Sequence, residues 1–411
     1  MSQRIQTHTF ENGLQLVGER MDWLESAAFS ILLPAGCIHD PADLPGVANF
    51  TCDMVERGCG DMNSRQFLEA LENQGITSHS SVDTAHSAYG AALVADRLPE
   101  ALRLFATMVR DPLLPEAQLE AGRQVCFQEL RGLEDNLSQR LFVELSRRIY
   151  GDPWGRNSVG TAESIAAVTH DHIASHVRAT YVPDGAILSV AGKINFEKVV
   201  QLVEKGFGDW PQLSPPPFEE LPGECGYHHI QVDSSQTHIA VAFPSVPYNH
   251  PDYFQARGAV GILGHGMSSR LWTEIRERQA LCYSVGAYFQ SILDRGNVIA
   301  YSATSTERAQ QTLDGLLSEL NKLADGVRQD ELDRLKAKIK SGLIMQQESS
   351  YSRSAAIAGD LYYLGRVRTI EEISEVIDGL TCDSINAFLK EHPPTGFTVV
   401  TLGASALDVN L

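Results

Sequence analysis

The chain repeats itself at an offset of about 212 residues, so it must fold as two copies of one unit. Tyr89 lies in the apolar run Ser87-Ala88-Tyr89-Gly90-Ala91-Ala92-Leu93, which reads as a strand followed by a helix from Arg97 to Val109. Tyr301 lies in Ile299-Ala300-Tyr301-Ser302-Ala303, followed by a helix from Glu307 to Leu320. Thr169-His170-Asp171-His172-Ile173 is matched by Thr381-Cys382-Asp383-Ser384-Ile385, and each heads an amphipathic helix with a Thr or Asp cap. Strands Ala186–Ala191 and Gly396–Leu402 then close the copies, the second carrying the β-branched run Thr398-Val399-Val400-Thr401-Leu402. Between the copies, Ser214-Pro215-Pro216-Pro217 predicts a stiff extended connector. The division is a first domain at 1–210, a Pro-rich linker at 211–224 and a second domain at 225–411. Each domain reads as an α+β sandwich, an antiparallel-rich sheet with helices on one face.

Composition narrows the function classes. At 411 residues the chain suits two domains of roughly 200 rather than one core. A net charge of −19 argues against nucleic acid and against anionic lipid as partners. That charge either forms a solvated surface or, in a cleft, favours basic peptides. The seven Cys are scattered without a C-x-x-C pair, which suits free thiols in a reducing compartment. Residues 1–20 hold charged side chains and no apolar run, and Met1 is read as an initiator, so no signal or transit segment is expected. No apolar stretch reaches membrane-spanning length. A cytoplasmic protein is the expectation.

Two motifs carry chemistry. The first is Gly46-Val47-Ala48-Asn49-Phe50-Thr51-Cys52-Asp53-Met54-Val55-Glu56-Arg57-Gly58, with Glu129 on a later helix, Leu119 to Leu130. The second is Gly264-His265-Gly266-Met267-Ser268-Ser269-Arg270-Leu271, continued by Glu274-Ile275-Arg276-Glu277 and by Leu281-Cys282-Tyr283-Ser284-Val285. The first resembles the zinc-site helix of the insulinase/pitrilysin and mitochondrial processing peptidase family, where H-x-x-E-H supplies two imidazole ligands and the base. Here those three positions are Asn49, Cys52 and Asp53, and Gly122 stands where active members carry a second acidic residue. Glu129 falls at the family's third-ligand position; alternatively it is an exposed helical Glu. A different metal site from Cys52, Asp53 and Glu129 is disfavoured, because adjacent helical residues point about 100° apart.

The second motif closely resembles the family's second-domain signature. The resemblance implies that Arg276 and Tyr283, seven residues apart, bind substrate and help stabilise the reacting carbonyl. Otherwise, Tyr283 is a packed strand residue and Arg276 an ion-pair partner. Thr77, Ser78, His79, Ser80 and Ser81, with Asp83, resemble the family's edge strand, which takes up substrate by strand addition; an ordinary sheet strand is the other reading. Glycines 258, 261, 264 and 266 have no phosphate-loop context and instead predict close packing and a turn before Met267. His228 with His229, and His170, His172 and His176 on a capped surface helix, are metal-like by count but lack an acidic third ligand.

The resemblance spans Gly13-Leu14 to about Gly403 and implies the processing-peptidase-like fold of two homologous domains. It further implies a non-catalytic subunit of a heterodimeric zinc endopeptidase. Such a subunit holds no metal or cofactor itself, faces a zinc-binding homologue, and supplies half the peptide chamber. A third reading is a homodimeric module that binds unfolded peptides. The alternative is a structural or assembly subunit without a peptidase role, like the core subunits of respiratory complexes.

Overall fold

The computed structural model describes residues 3–409; the initiator reading of Met1 lies outside them. The chain forms two compact units. The first comprises Met1–Gly132, Asp152–Glu220 and Ile344–Ile370, and the second Leu133–Gly151, Leu221–Leu343 and Glu371–Leu411.

In the first unit, β1 (Arg4–Thr9), β2 (Gln15–Arg20), β3 (Ser26–Leu33), β6 (Thr77–Val82), β7 (Ser87–Val94) and β8 (Ile187–Gly192) form one sheet, while β4 (Gly58–Cys59) and β5 (Met62–Asn63) make a small hairpin. The sheet order is β1-β2-β8-β3-β7-β6, antiparallel throughout except for the parallel pair β2 and β8. In the second unit, β9 (Tyr227–Gln231), β10 (Gln236–Ser245), β11 (Cys282–Ile292), β12 (Arg295–Ser305) and β13 (Thr398–Gly403) run in the order β11-β12-β10-β13-β9, with only β9 and β13 parallel. Read from the opposite end, that is the first sheet without β1. The register repeats as well: Gln15 faces Ile187 and Tyr227 faces Val399, so both partners shift by 212. The matched Thr caps are real, since Thr169 and Thr381 each close a capping box at the start of His170–Thr180 and Cys382–Glu391.

Alternation along the strands buries both faces of each sheet. Leu16, Phe29, Ile31, Leu188 and Val190 pack under the main helical layer of the first unit, whereas Val17, Met21, Ile187 and Ala191 face Ile357, Ala358 and Leu361. Those last three belong to helix Ser350–Leu364, which comes from the second sequence half. The converse holds in the second unit. There Ile239, Val241 and Val399 face its own helices, and Ala240, Ala242, Ile299, Val400 and Leu402 receive Leu141 and Leu145 of helix Leu137–Tyr150, from the first half. The compact units therefore depart from the division at 210–225 by one exchanged helix each. The incoming helix of the first unit is held by a deeply buried ion pair, Arg353 Nη2 to Glu19 Oε2 at 2.6 Å.

The Pro215–Pro217 stretch has no regular structure and is largely exposed. It is tied down locally: Trp154 Nε1 donates to Glu220 Oε1 at 2.8 Å, and the Trp154 ring meets Phe218 edge-on.

Candidate functional site

Helix Val47–Val55 starts because Gly46 adopts φ +97° and Asp40 reaches forward as its cap, accepting from Gly46 N and Ala48 N at 2.7 Å each. Burial of Asp40 raises its carboxyl to about 7 despite these donors. The helix buries Val47, Ala48, Phe50, Thr51, Cys52, Met54 and Val55, leaving Asn49, Asp53 and Glu56 on the accessible side.

Glu129 is exposed on helix Leu119–Asp135, and it also meets the motif: Asn49 Nδ2 donates to Glu129 Oε2 at 2.6 Å. The ligand frame thus survives at two of its corners. The remaining corner is closed, because Arg57 grips Asp53 with Nε to Oδ2 at 2.7 Å and Nη2 to Oδ1 at 3.1 Å. Gly122 permits this approach of the helices; a Cβ there would lie 2.7 Å from Asp53 Oδ2 and 2.8 Å from Phe50 Cε2. Cys52 turns the other way, into a buried group with Tyr89 and Ser80, where burial pushes its thiol up to about 12. Tyr89 and Tyr181 share a 2.6 Å hydroxyl contact behind it. These side chains do not fit a zinc ion. One carboxylate is neutralised by a guanidinium, the amide of Asn49 is a weak donor, and the thiol points away and stays protonated. Among the described residues no group of three or more His, Cys, Asp or Glu is arranged to hold a metal.

The other histidines are engaged elsewhere. His228 Nε2 meets Glu224 O, His229 Nδ1 meets Thr401 Oγ1, and His170 Nε2 meets Leu114 O. His172 Nδ1 accepts from Thr169 N inside the capping box. The expectation of a surface helix fails for His176, which is buried with Nε2 unpartnered and its pKa lowered to about 4, chiefly by burial.

Thr77, Ser78, His79, Ser80 and Ser81 do form the edge strand β6, pairing with β7 on one side only. Ser80 Oγ donates to Glu56 Oε2 at 2.9 Å, and burial raises the Glu56 carboxyl. The His79 ring lies across Gly90, where a Cβ would clash at 2.3 Å, and stacks edge-on with Tyr351 at 4.8 Å. Neither Glu56 nor Tyr351 was singled out from the sequence. Glu56 follows Asn49 and Asp53 on the accessible helix face at helical spacing, which was the available signal; nothing local places Tyr351 beside β6.

In the second unit, Gly264 lets helix Tyr253–Gly264 end against β11; a Cβ would meet Ala287 N at 2.0 Å. Gly266, at φ +106°, makes the expected turn before Met267. Arg270 is structural, forking onto Glu331 at 2.8 and 2.7 Å. Arg276 and Tyr283 are brought together by two irregularities. Trp272–Arg278 is a π-helical turn. The β11–β12 register passes from Cys282↔Thr304 to Ser284↔Ala303, leaving Tyr283 as the extra residue of a β-bulge. Arg276 Nη1 donates to the Tyr283 carbonyl, and its guanidinium lies 3.9 Å from the Trp272 ring centroid and 4.9 Å from that of Tyr283. Tyr283 is 83% exposed, so it is not a packed strand residue, and Arg276 is not paired with Glu274, which binds Arg278.

Two family models match the chain: "Insulinase (Peptidase family M16)" over residues 21–162 and "Peptidase M16 inactive domain" over residues 167–339, together more than half of it. An uncharacterized zinc protease of Rickettsia felis is 26% identical over 389 residues, covering 94% of both chains. The beta subunit of the mitochondrial-processing peptidase of Saccharomyces cerevisiae is 26% identical over 401 residues, covering 92% of this chain and 86% of its own. Among solved structures, a peptidase M16 inactive domain from Pseudomonas fluorescens superposes with a TM-score of 0.90 at 21% identity, covering 99% of this chain and 100% of its own. A Helicobacter pylori protease gives 0.89, also at 21% identity, covering 98% and 100%.

Proposed function

This chain belongs to the insulinase (M16) peptidase family with its zinc motif degenerate, and from that premise we propose that it is the non-catalytic subunit of a heterodimeric zinc endopeptidase. It forms half of a peptide chamber and supplies Arg276 and Tyr283 to a homologous partner that carries the zinc. The chain itself holds no metal or cofactor, and its ligands are unfolded peptides in extended form. Neither nucleic acid nor membrane is a partner, and its compartment is the cytoplasm. Among the described residues no helix is long and apolar enough to cross a membrane.

The observation that carries this reading is the ion pair of Asp53 with Arg57, which neutralises the side chain standing where the family places a metal ligand. Without a metal or the general-base Glu, a bound water would stay unactivated on this chain. The second-domain signature is intact, and its Arg and Tyr are held in contact with the phenol in solvent. A guanidinium and a phenol are suitable donors to a carbonyl oxygen on which charge develops. Thr77 to Ser81 offer a free strand edge for the peptide backbone.

The test is co-expression with a paralogue bearing intact H-x-x-E-H, followed by peptidase assay of each protein alone and of the purified mixture. The reading expects activity of the mixture well above the sum of its parts. A stable complex no more active than the paralogue alone would favour the structural-subunit alternative.

A further inference from the structure

We infer that Trp272 is a positioning residue for Arg276, holding the guanidinium in the plane from which its free N–H groups reach an extended peptide. The inference rests on the reading above and deepens it. Trp272 and Arg276 are four residues apart on the π-helical turn, and the indole stacks on the guanidinium at 3.9 Å. The indole is itself held by Nε1 donating to Glu277 Oε1 at 3.2 Å. Arg276 Nη1 is committed to the Tyr283 carbonyl. Nε and Nη2 have no partner among the described residues, so they are the donors left for a carbonyl or carboxylate oxygen of a ligand.

An ordinary packing role does not account for Trp272. The turn is anchored in the core by its neighbours Leu271 and Ile275, while Trp272 itself stays half-buried outside that cluster. A half-exposed arginine otherwise spreads over many rotamers, and stacking on an aromatic face restricts it before a ligand arrives. The bulged Tyr283 contributes a second ring at 4.9 Å.

Full-length Trp272→Leu, Trp272→Phe, Arg276→Ala and the double variant Trp272→Leu/Arg276→Ala decide this, after circular dichroism has shown that each is folded. The first readout needs no peptide: the rate at which phenylglyoxal modifies Arg276, followed by peptide mapping. Trp272→Leu should raise that rate several-fold, and Trp272→Phe should keep it near wild type. Equal rates in Trp272→Leu and wild type overturn the positioning role. The second readout is fluorescence anisotropy with fluorescein-labelled β-casein as an unfolded probe. Trp272→Leu should weaken binding roughly threefold to tenfold, Trp272→Phe should recover it, and the double variant should bind no worse than Arg276→Ala. Additive losses in the double variant overturn action through Arg276. If Arg276→Ala binds casein like wild type, the peptide-binding reading of the preceding subsection fails, and the modification rates still decide whether Trp272 positions Arg276.

Discussion

Asn49 donates its side-chain amide to Glu129 at 2.6 Å, joining the first and third corners of a ligand set whose remaining corner, Asp53, is held by Arg57. Dialysed protein should therefore carry far less than one zinc per chain by elemental analysis. The triple change Asn49→His, Cys52→Glu and Asp53→His should restore binding, because Glu129 already reaches the position of residue 49. Adding Glu129→Gln should weaken it strongly. Adding Arg57→Gln should instead strengthen it, since the restored site would otherwise sit beside an unpaired cation. About one tightly held zinc in the unaltered chain would overturn the argument.

Gly122 lies where a side chain has no room. Its Cβ would meet Asp53, Phe50 and Met54 at 2.7, 2.8 and 3.1 Å. Overpacking of this kind costs about 1–3 kcal/mol, and the helix-propensity gain of Ala over Gly offsets at most about 1 kcal/mol. Gly122→Ala should lower the unfolding free energy by up to about 2 kcal/mol in a urea titration. A stabilised variant would mean that the two helices are not packed this closely.

Burial holds His176 neutral, with its pKa depressed from 6.5 to about 4. The unfolded chain takes up a proton below 6.5 and the folded one does not. The contribution is thus fully present above pH 6.5 and is lost as pH falls toward 4, on the order of 3 kcal/mol at 1.36 kcal/mol per pKa unit. His39, lowered by burial and by Arg156, acts in the same sense. Urea midpoints measured from pH 7 to pH 4 should fall less steeply for His176→Phe than for wild type; parallel curves would contradict the assignment.

The reciprocal helices make a prediction about the connector. A protease site placed at Pro215–Pro217 should be cut readily, yet the fragments should co-elute in native size exclusion. Each fragment supplies the helix that covers one face of the other's sheet, through Leu141 and Leu145 in one case and Ile357 and Leu361 in the other. Separation of the fragments without denaturant would refute the exchange.

That exchange marks where the sequence stops being informative. The repeat at Tyr89 and Tyr301 and the Thr169 and Thr381 caps were legible because strand composition and capping are local signals. Helices 137–150 and 350–364 carry apolar faces, but periodicity does not say which sheet a face covers. His176 was misplaced for the same reason: its helix looks amphipathic, and the cover that buries it comes from distant residues. At the candidate site, the signature pointed to Arg276 and Tyr283, and their contact in the fold comes from a π-turn and a bulge that depend on tertiary packing of Ile275 and Leu281.

The most direct test of the account is turnover by the complex with an intact H-x-x-E-H paralogue when this chain carries Tyr283→Phe. The substitution removes only an exposed hydroxyl, so folding and complex formation should be unchanged. Peptide hydrolysis should fall by roughly 10²-fold or more, as expected for the loss of one oxyanion donor. Unchanged turnover and peptide affinity in a complex that still forms would contradict a role for Tyr283 in the partner's site.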